Sequence, residues 1–281
     1  MIEGVMMRGK KAAAIAMRKP DGEIEVHTEP LSKLYQSRWV EIPFLRGVVG
    51  LWDALVLGTR ALTISANAQT GEDEQLEGGA LFLTMAVSLT IAVVLFFLVP
   101  AGIGQLTERA LGWSAWAGNL SEGLIRLSFL ILYIWGIGRM EDIQRVFAYH
   151  GAEHKVINAF EHRDQLVPER VKLYSLEHPR CGTAFLLVVV VISVLLFTLL
   201  GPLSLIWRLV SRILLLPVIA GIAYEYLRFT ANNLHNPLIA WLIKPNLALQ
   251  RLTTREPDEQ ILEVGIRAFQ AMREAEDAGE S

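Results

Sequence analysis

The sequence predicts a mainly α-helical, polytopic membrane protein with about four transmembrane helices, an interfacial amphipathic helix and a small N-terminal β-hairpin. Three observations carry this expectation. Of the 281 residues, 52% are hydrophobic, more than a soluble domain of this size usually holds. The excess is gathered into a few long, uncharged runs. The basic residues alternate in density along the chain, as they do when successive connections lie on opposite faces of a bilayer.

Residues 1–79 read as a cytoplasmic N-terminal region. Glu3 to Gly9 is Met-rich, with flanking glycines and opposite charges, and is expected to pack back onto the membrane core. Ala12–Arg18 and Glu23–Thr28 flank Asp21-Gly22, a dipeptide suited to a tight turn, and predict a hairpin. Phe44–Ile64 is apolar except for Arg46, Asp53 and Arg60, which repeat every seven residues and so share one helical face. That pattern predicts a helix lying along the membrane surface, with Gly50, Ala54 and Gly58 as a small-residue ridge for close helix contact. Gly71–Glu77 reads as a short acidic linker.

Residues 80–138 are expected to hold the first pair of transmembrane helices, Ala80–Pro100 and Leu120–Gly138. The second carries Glu122 and Arg126 in its first third, and Arg126 is expected to snorkel at the outer face. Residues 139–181 form the central loop. Residues 182–229 hold the second pair, Gly182–Leu200 and Ile213–Phe229. Residues 230–281 form a tail in which Pro237 and Pro245 bracket an interfacial stretch and Pro257, Asp258 and Glu259 open an amphipathic helix.

Nine Lys and Arg precede the first span, one (Arg109) lies in residues 101–119, seven in 139–180, two (Arg208 and Arg212) after Gly201, and six from Arg228 onward. High, low, high, low, high places both termini and the central loop in the cytoplasm, with the chain in the cytoplasmic membrane. Met1–Lys10 lacks the apolar core of a signal peptide, so insertion is expected to use the internal spans. The formal charge of −3 argues against nucleic acid as a partner and leaves the lipid bilayer as the expected one. A single cysteine, Cys181, excludes an internal disulfide.

The central loop holds His150-Gly151-Ala152-Glu153-His154-Lys155. On a helix, His150 and His154 face the same way and can reach one ion, and Glu153 stands where a carboxylate can take a proton from water. This is the His-x-x-Glu-His arrangement of inverse zinc metallopeptidases. A third and fourth ligand are expected from His178, Cys181 or Glu225, the last being an ionisable group inside a span. Less specific readings compete: the His pair as a polar network with Glu153 or Glu161, His178 and Cys181 as caps of the third span, and Glu225 as an ion pair with Arg228 or Arg126.

The blocks Glu3–Gly9, Pro43–Val48, His150–Lys155, His178–Thr183 and Leu252–Pro257 together resemble the YqhQ-like family of bacterial membrane proteins, described as candidate metal-dependent enzymes. The resemblance implies a membrane location and a bound metal, and puts His150, Glu153, His154, His178 and Cys181 in the family's characteristic blocks. The expected function is a membrane-embedded metal-dependent hydrolase acting on a peptide or lipid-linked bond, with a cytoplasm-facing site, a divalent transition metal (zinc first) and Glu153 as general base. The alternatives are a non-catalytic scaffold or homo-oligomer with a structural metal, and a transporter in which Arg126 and Glu225 line a path. The almost wholly apolar first and third spans count against transport.

Overall fold

The computed structural model describes residues 1–32, 40–69, 78–201 and 203–278; the linker expected at Gly71–Glu77 lies outside them. The chain opens with an antiparallel sheet of β1 (Gly4–Arg8), β2 (Ala12–Arg18) and β3 (Ile24–Pro30), in that order. The predicted hairpin is β2–β3, turning through Gly22 at φ +91°. The opening segment was expected on the membrane core. It is instead the third strand: Gly4 to Arg8 pair with Met17 to Ala13, and Val5 and Met7 are buried.

β2 lacks the polar alternation of a half-exposed strand because both its faces are covered. Ala13, Ile15 and Met17 meet Leu57 and Ala61 of α1 (Leu45–Gln69). Ala14 and Ala16 join the core shared with α5 (Glu141–Glu161) and α12 (Glu259–Ala278). The sheet is thus packed between α1 and two helices from far along the chain. α12 is the expected amphipathic tail helix, burying Leu262, Ile266, Phe269 and Met272.

Each of the three charges repeated along α1 finds a partner. Arg46 forks onto Glu225, Asp53 accepts from Arg8 and Ser32 at 2.7 Å each, and Arg60 pairs with Glu29 at 3.1 Å. Trp52, Leu55 and Leu62 on the opposite side are exposed. The expected ridge of Gly50, Ala54 and Gly58 meets another helix at Gly50, where a Cβ would stand 3.9 Å from Tyr224 Cε2, but not at Gly58, where nothing lies within 4 Å. The close approach is at Gly47, where a Cβ would stand 2.7 Å from Tyr224 Cβ and 3.0 Å from Gly221 Cα of α9 (Leu216–Asn232).

Among the described residues, four helical runs are long and apolar enough to cross a membrane: α1, Leu83–Leu111, α4 (Ala115–Ile137) and α7 (Gly182–Leu199). α8 (Leu205–Leu214) and α9, bent by 44° at the break before Pro217, would together make a fifth. The Leu83–Leu111 run is α2 (Gly78–Val93) and α3 (Val99–Leu111) joined by one π-helical turn, Val94–Leu98. The connection expected over residues 101–119 is therefore mostly helix, and the turn narrows to residues 112–114, with Gly112 left-handed at φ +65°.

Pro100 explains the irregular turn, since it has no N–H to return to Phe96 O four residues earlier. Arg126 supplies the missing donor, its Nε reaching Phe96 O at 2.9 Å. Arg126 accordingly does not snorkel: it is 3% exposed and also holds Ser193 and Glu122. Arg212 of α8 adds a fork onto Glu122 at 2.7 and 3.0 Å and donates to Asn119. A guanidinium between apolar helices needs a paired carboxylate and carbonyls in place of water, and this cluster provides them.

Candidate metal centre

α5 carries the His-x-x-Glu-His pattern as one uninterrupted helix, with Glu141 and Asp142 in its first turn, where acidic side chains suit the helix dipole. His150 and His154 lie one above the other, ring centroids 4.4 Å apart. Cys181 caps the start of α7, its sulfur accepting from Thr183 N, which turns the thiol toward α5. Ligand atoms of His150, His154 and Cys181 all fall within 4.8 Å of one another. His150 Nε2 is 3.3 Å from the sulfur. Usual zinc bond lengths place ligand atoms about 3.3 to 3.6 Å apart, so closing this trio on an ion needs only small side-chain movement.

The orientation of both imidazoles is fixed from behind. His150 Nδ1 donates to Thr253 O at 2.9 Å, and His154 Nδ1 donates to Leu176 O. With each Nδ1 engaged by a carbonyl, the Nε2 lone pairs are left to face the sulfur, the arrangement in which backbone oxygens set the tautomer of metal-binding histidines. Two imidazoles and a thiolate suit zinc, and three protein donors leave one side open.

Electrostatics favour the thiolate of Cys181 and the cation of His150. Burial opposes ionisation of Cys181, but hydrogen bonds and charge from His150 and His154 outweigh it and draw the thiol down to about 5. Burial also works against His150 as a cation, yet Cys181, Glu153 and Thr253 O together hold it up at about 9. The pair is thus a thiolate beside an imidazolium: the thiolate is already the metal-binding form, whereas His150 must release its Nε2 proton before that nitrogen can ligate. Burial pushes the Glu153 carboxyl up, with His150 and His154 pulling the other way. Glu153 is half-buried, and among the described residues nothing hydrogen-bonds its carboxylate. It lines a cavity of about 260 Å³ together with the trio, His178 and Arg180.

The two remaining candidates stand apart from the trio. His178 is buried, with its ring centroid 6.0 Å from that of His154, but its Nε2 faces Glu161 at 3.6 Å. Burial lowers its pKa. Glu225 is not brought to the site: Arg46 and Phe44 N take its carboxylate. Its ion pair is with Arg46, whereas Arg126, one of the two partners the ion-pair reading offered, is held by Glu122.

Sequence reasoning missed the groups that position the site. Lys155, 3% exposed, donates to Lys172 O at 2.6 Å and Tyr174 O at 2.9 Å and pairs with Glu256. Asn158 donates to Ser175 O and Glu177 O. Together with His154 they clamp the segment 172–177 that presents Leu176 O. Gln250 is fully buried, exchanging two 2.9 Å hydrogen bonds with the backbone of His178. Asn158 alone left a signal, since His150, His154 and Asn158 repeat every four residues along one face. Gly151 lets α11 (Lys244–Thr253) and its exit approach: a Cβ there would stand 2.2 Å from Arg255 O and 2.8 Å from Leu176 Cδ2.

No solved structure matches the chain. It is 35% identical to the uncharacterized protein YqhQ of Bacillus subtilis (strain 168), over 96% of this chain and 89% of that protein. The model of a family described as a protein of unknown function, DUF1385, matches residues 42–275. The centre built from His150, His154 and Cys181 lies inside that matched region, and the chain belongs to this DUF1385, YqhQ-like family.

Proposed function

We propose that the protein is a metal-dependent hydrolase of the bacterial cytoplasmic membrane, with His150, His154 and Cys181 holding a divalent ion, zinc first, at the cytoplasmic interface. The observation that carries this reading is the pair of Nδ1-to-carbonyl hydrogen bonds, which aim both imidazoles at the thiol. Held by these three residues, a zinc ion would supply a Lewis acid to polarise the bond that is broken and to make water more acidic. Glu153 takes the proton of the attacking water and returns it to the leaving oxygen or nitrogen. Arg180 and His178 border the chamber opposite and receive the polar part of the substrate. An open fourth side, and a carboxylate that nothing hydrogen-bonds among the described residues, favour catalysis over a purely structural ion, which takes four protein donors.

Packing supports a topology with four crossings. The N-terminal sheet, α5 and α12 form one unit, so the residues before α1, the central loop and the last helix share a side. Leu83–Leu111 and α4 cross and return between the sheet and α5, an even number. A crossing by α1 would put the sheet on the wrong side, so α1 lies along the interface with its charged face on the sheet and Trp52 and Leu55 toward lipid. α7 and the bent α8–α9 pair supply the other two crossings. The density of basic residues assigns the shared side to the cytoplasm.

The test is elemental analysis of detergent-purified protein, wild type beside His154→Ala. Near-stoichiometric zinc in the wild type, lost from a folded variant, is the expected result. No transition metal in either, after purification without chelator, would end the hydrolase reading.

A further inference from the structure

We infer that the substrate is a bilayer lipid, or a molecule linked to one, whose hydrocarbon chain enters an apolar chamber beside the histidines; the inference rests on the metal-dependent hydrolase reading. Two cavities share His150 and Glu153. One is the polar chamber already described. The other, about 410 Å³, is within the usual size range of small-molecule sites and runs between β1, the middle of α5 and the ends of α4 and α7. Val5, Met6, Ile134, Ile137, Val146 and Leu186 form its apolar wall.

Three features commit this chamber to a hydrocarbon chain from the bilayer. Its polar groups gather where the two cavities meet: Thr253 O holds His150, and the Thr253 and Thr183 hydroxyls lie 3.5 Å apart. Ile134, Ile137 and Leu186 belong to the ends of α4 and α7, both apolar enough to span, and Leu186 is 46% exposed, so the wall continues onto the surface that α7 offers to lipid. A chain entering from that surface ends at Glu153, with the polar chamber beyond it for the head group. Lipid tails are as apolar as a leucine wall, so transfer from bilayer to chamber changes little free energy and selection falls to the head group.

The bond broken is then an ester joining head to chain. The water oxygen bonds to the carbonyl carbon or phosphorus as Glu153 removes its proton. The ester C–O or P–O bond breaks, and that proton passes to the leaving oxygen.

The test uses full-length protein in nanodiscs of phosphatidylethanolamine and phosphatidylglycerol, doped with a phosphatidylglycerol carrying a diazirine at the end of one acyl chain. After irradiation, label is mapped by mass spectrometry and zinc is measured on the same sample. The expected result is label on residues 134–147 and on Val5 or Met6, at least tenfold lower in Ile137→Trp/Val146→Trp, which fills the chamber. Ile137→Ala, which widens it, keeps the label. Zinc content stays constant throughout. Label confined to outward residues such as Leu89, Leu132 and Leu195, or undiminished in the filled variant, with zinc bound, overturns the lipid inference and leaves the hydrolase reading standing. Absence of any transition metal from the wild type overturns both.

Discussion

Lys155→Met tests whether the backbone behind His154 is held by one side chain. The lysine ammonium is buried, with two carbonyl acceptors, Lys172 O at 2.6 Å and Tyr174 O at 2.9 Å, and the carboxylate of Glu256. Methionine keeps the apolar stem and most of the volume, so the change isolates the charge and its hydrogen bonds. Glu256 is 64% exposed and returns to water at little cost. The two carbonyls each lose a charge-assisted hydrogen bond worth about 1.5–3 kcal/mol. Allowing for water reaching one of them, the loss is about 3 kcal/mol, or roughly a hundredfold in the opening equilibrium of segment 172–177. Leu176 O sits in that segment and orients His154, so zinc affinity falls by about 10- to 100-fold, as when groups that orient a metal-binding histidine are removed. Hydrogen exchange of residues 172–177 reads the first effect and chelator competition the second. A variant that keeps wild-type protection and wild-type zinc affinity would refute the clamp.

Gly151→Ala is expected to cost at least about 1–3 kcal/mol, because its methyl meets a backbone oxygen that cannot give way without moving the exit of α11. Gly182→Ala, with nothing within 4 Å, serves as the neutral control in thermal melts. Glu122→Gln leaves two buried guanidiniums without their carboxylate and should lower stability in detergent by about 3–5 kcal/mol, more than Arg212→Met, which leaves Glu122 paired with Arg126. Glu3 is held below its ordinary pKa of 4.5, mainly by its hydrogen bond from Arg145. A depressed carboxyl contributes stability that is whole above pH 4.5 and is lost as pH falls through the lowered value. Melts between pH 6 and pH 3 should therefore show a steeper acid decline in wild type than in Glu3→Gln, and equal slopes would remove this pair from the account.

The parts of the fold legible in the sequence were those governed by local pattern. Uncharged runs located the long apolar helices, Asp21-Gly22 located a turn, and the spacing of His150 and His154 put the two rings on one helical face. β1 was not legible because its partner strand must be known first: Val5 and Met7 look like a loose apolar start until β2 and α12 cover them. Arg126 misled for a related reason. A single arginine in a span reads as snorkelling, whereas its burial depends on Phe96 O, Ser193 and, one turn back on its own helix, Glu122 meeting it. At the site, side-chain donors were named in advance, but Thr253 O and Leu176 O are backbone atoms, and every residue has one. The placement of Glu225 turned on Arg46, which lies 179 positions away in sequence.

The layering of the sheet has a consequence for the order in which the chain is made. α1 follows the strands closely and can cover Ala13, Ile15 and Met17 almost at once. The other face, with Ala14 and Ala16, waits for α12, which begins at Glu259. At about 5–20 residues per second, the wait is on the order of tens of seconds. Thr253, whose carbonyl turns His150 toward the thiol, arrives in the same late stretch. A nascent chain thus carries His150, His154 and Cys181 well before it can aim them, and the cluster takes its final arrangement only once the last helix has closed over the first strands.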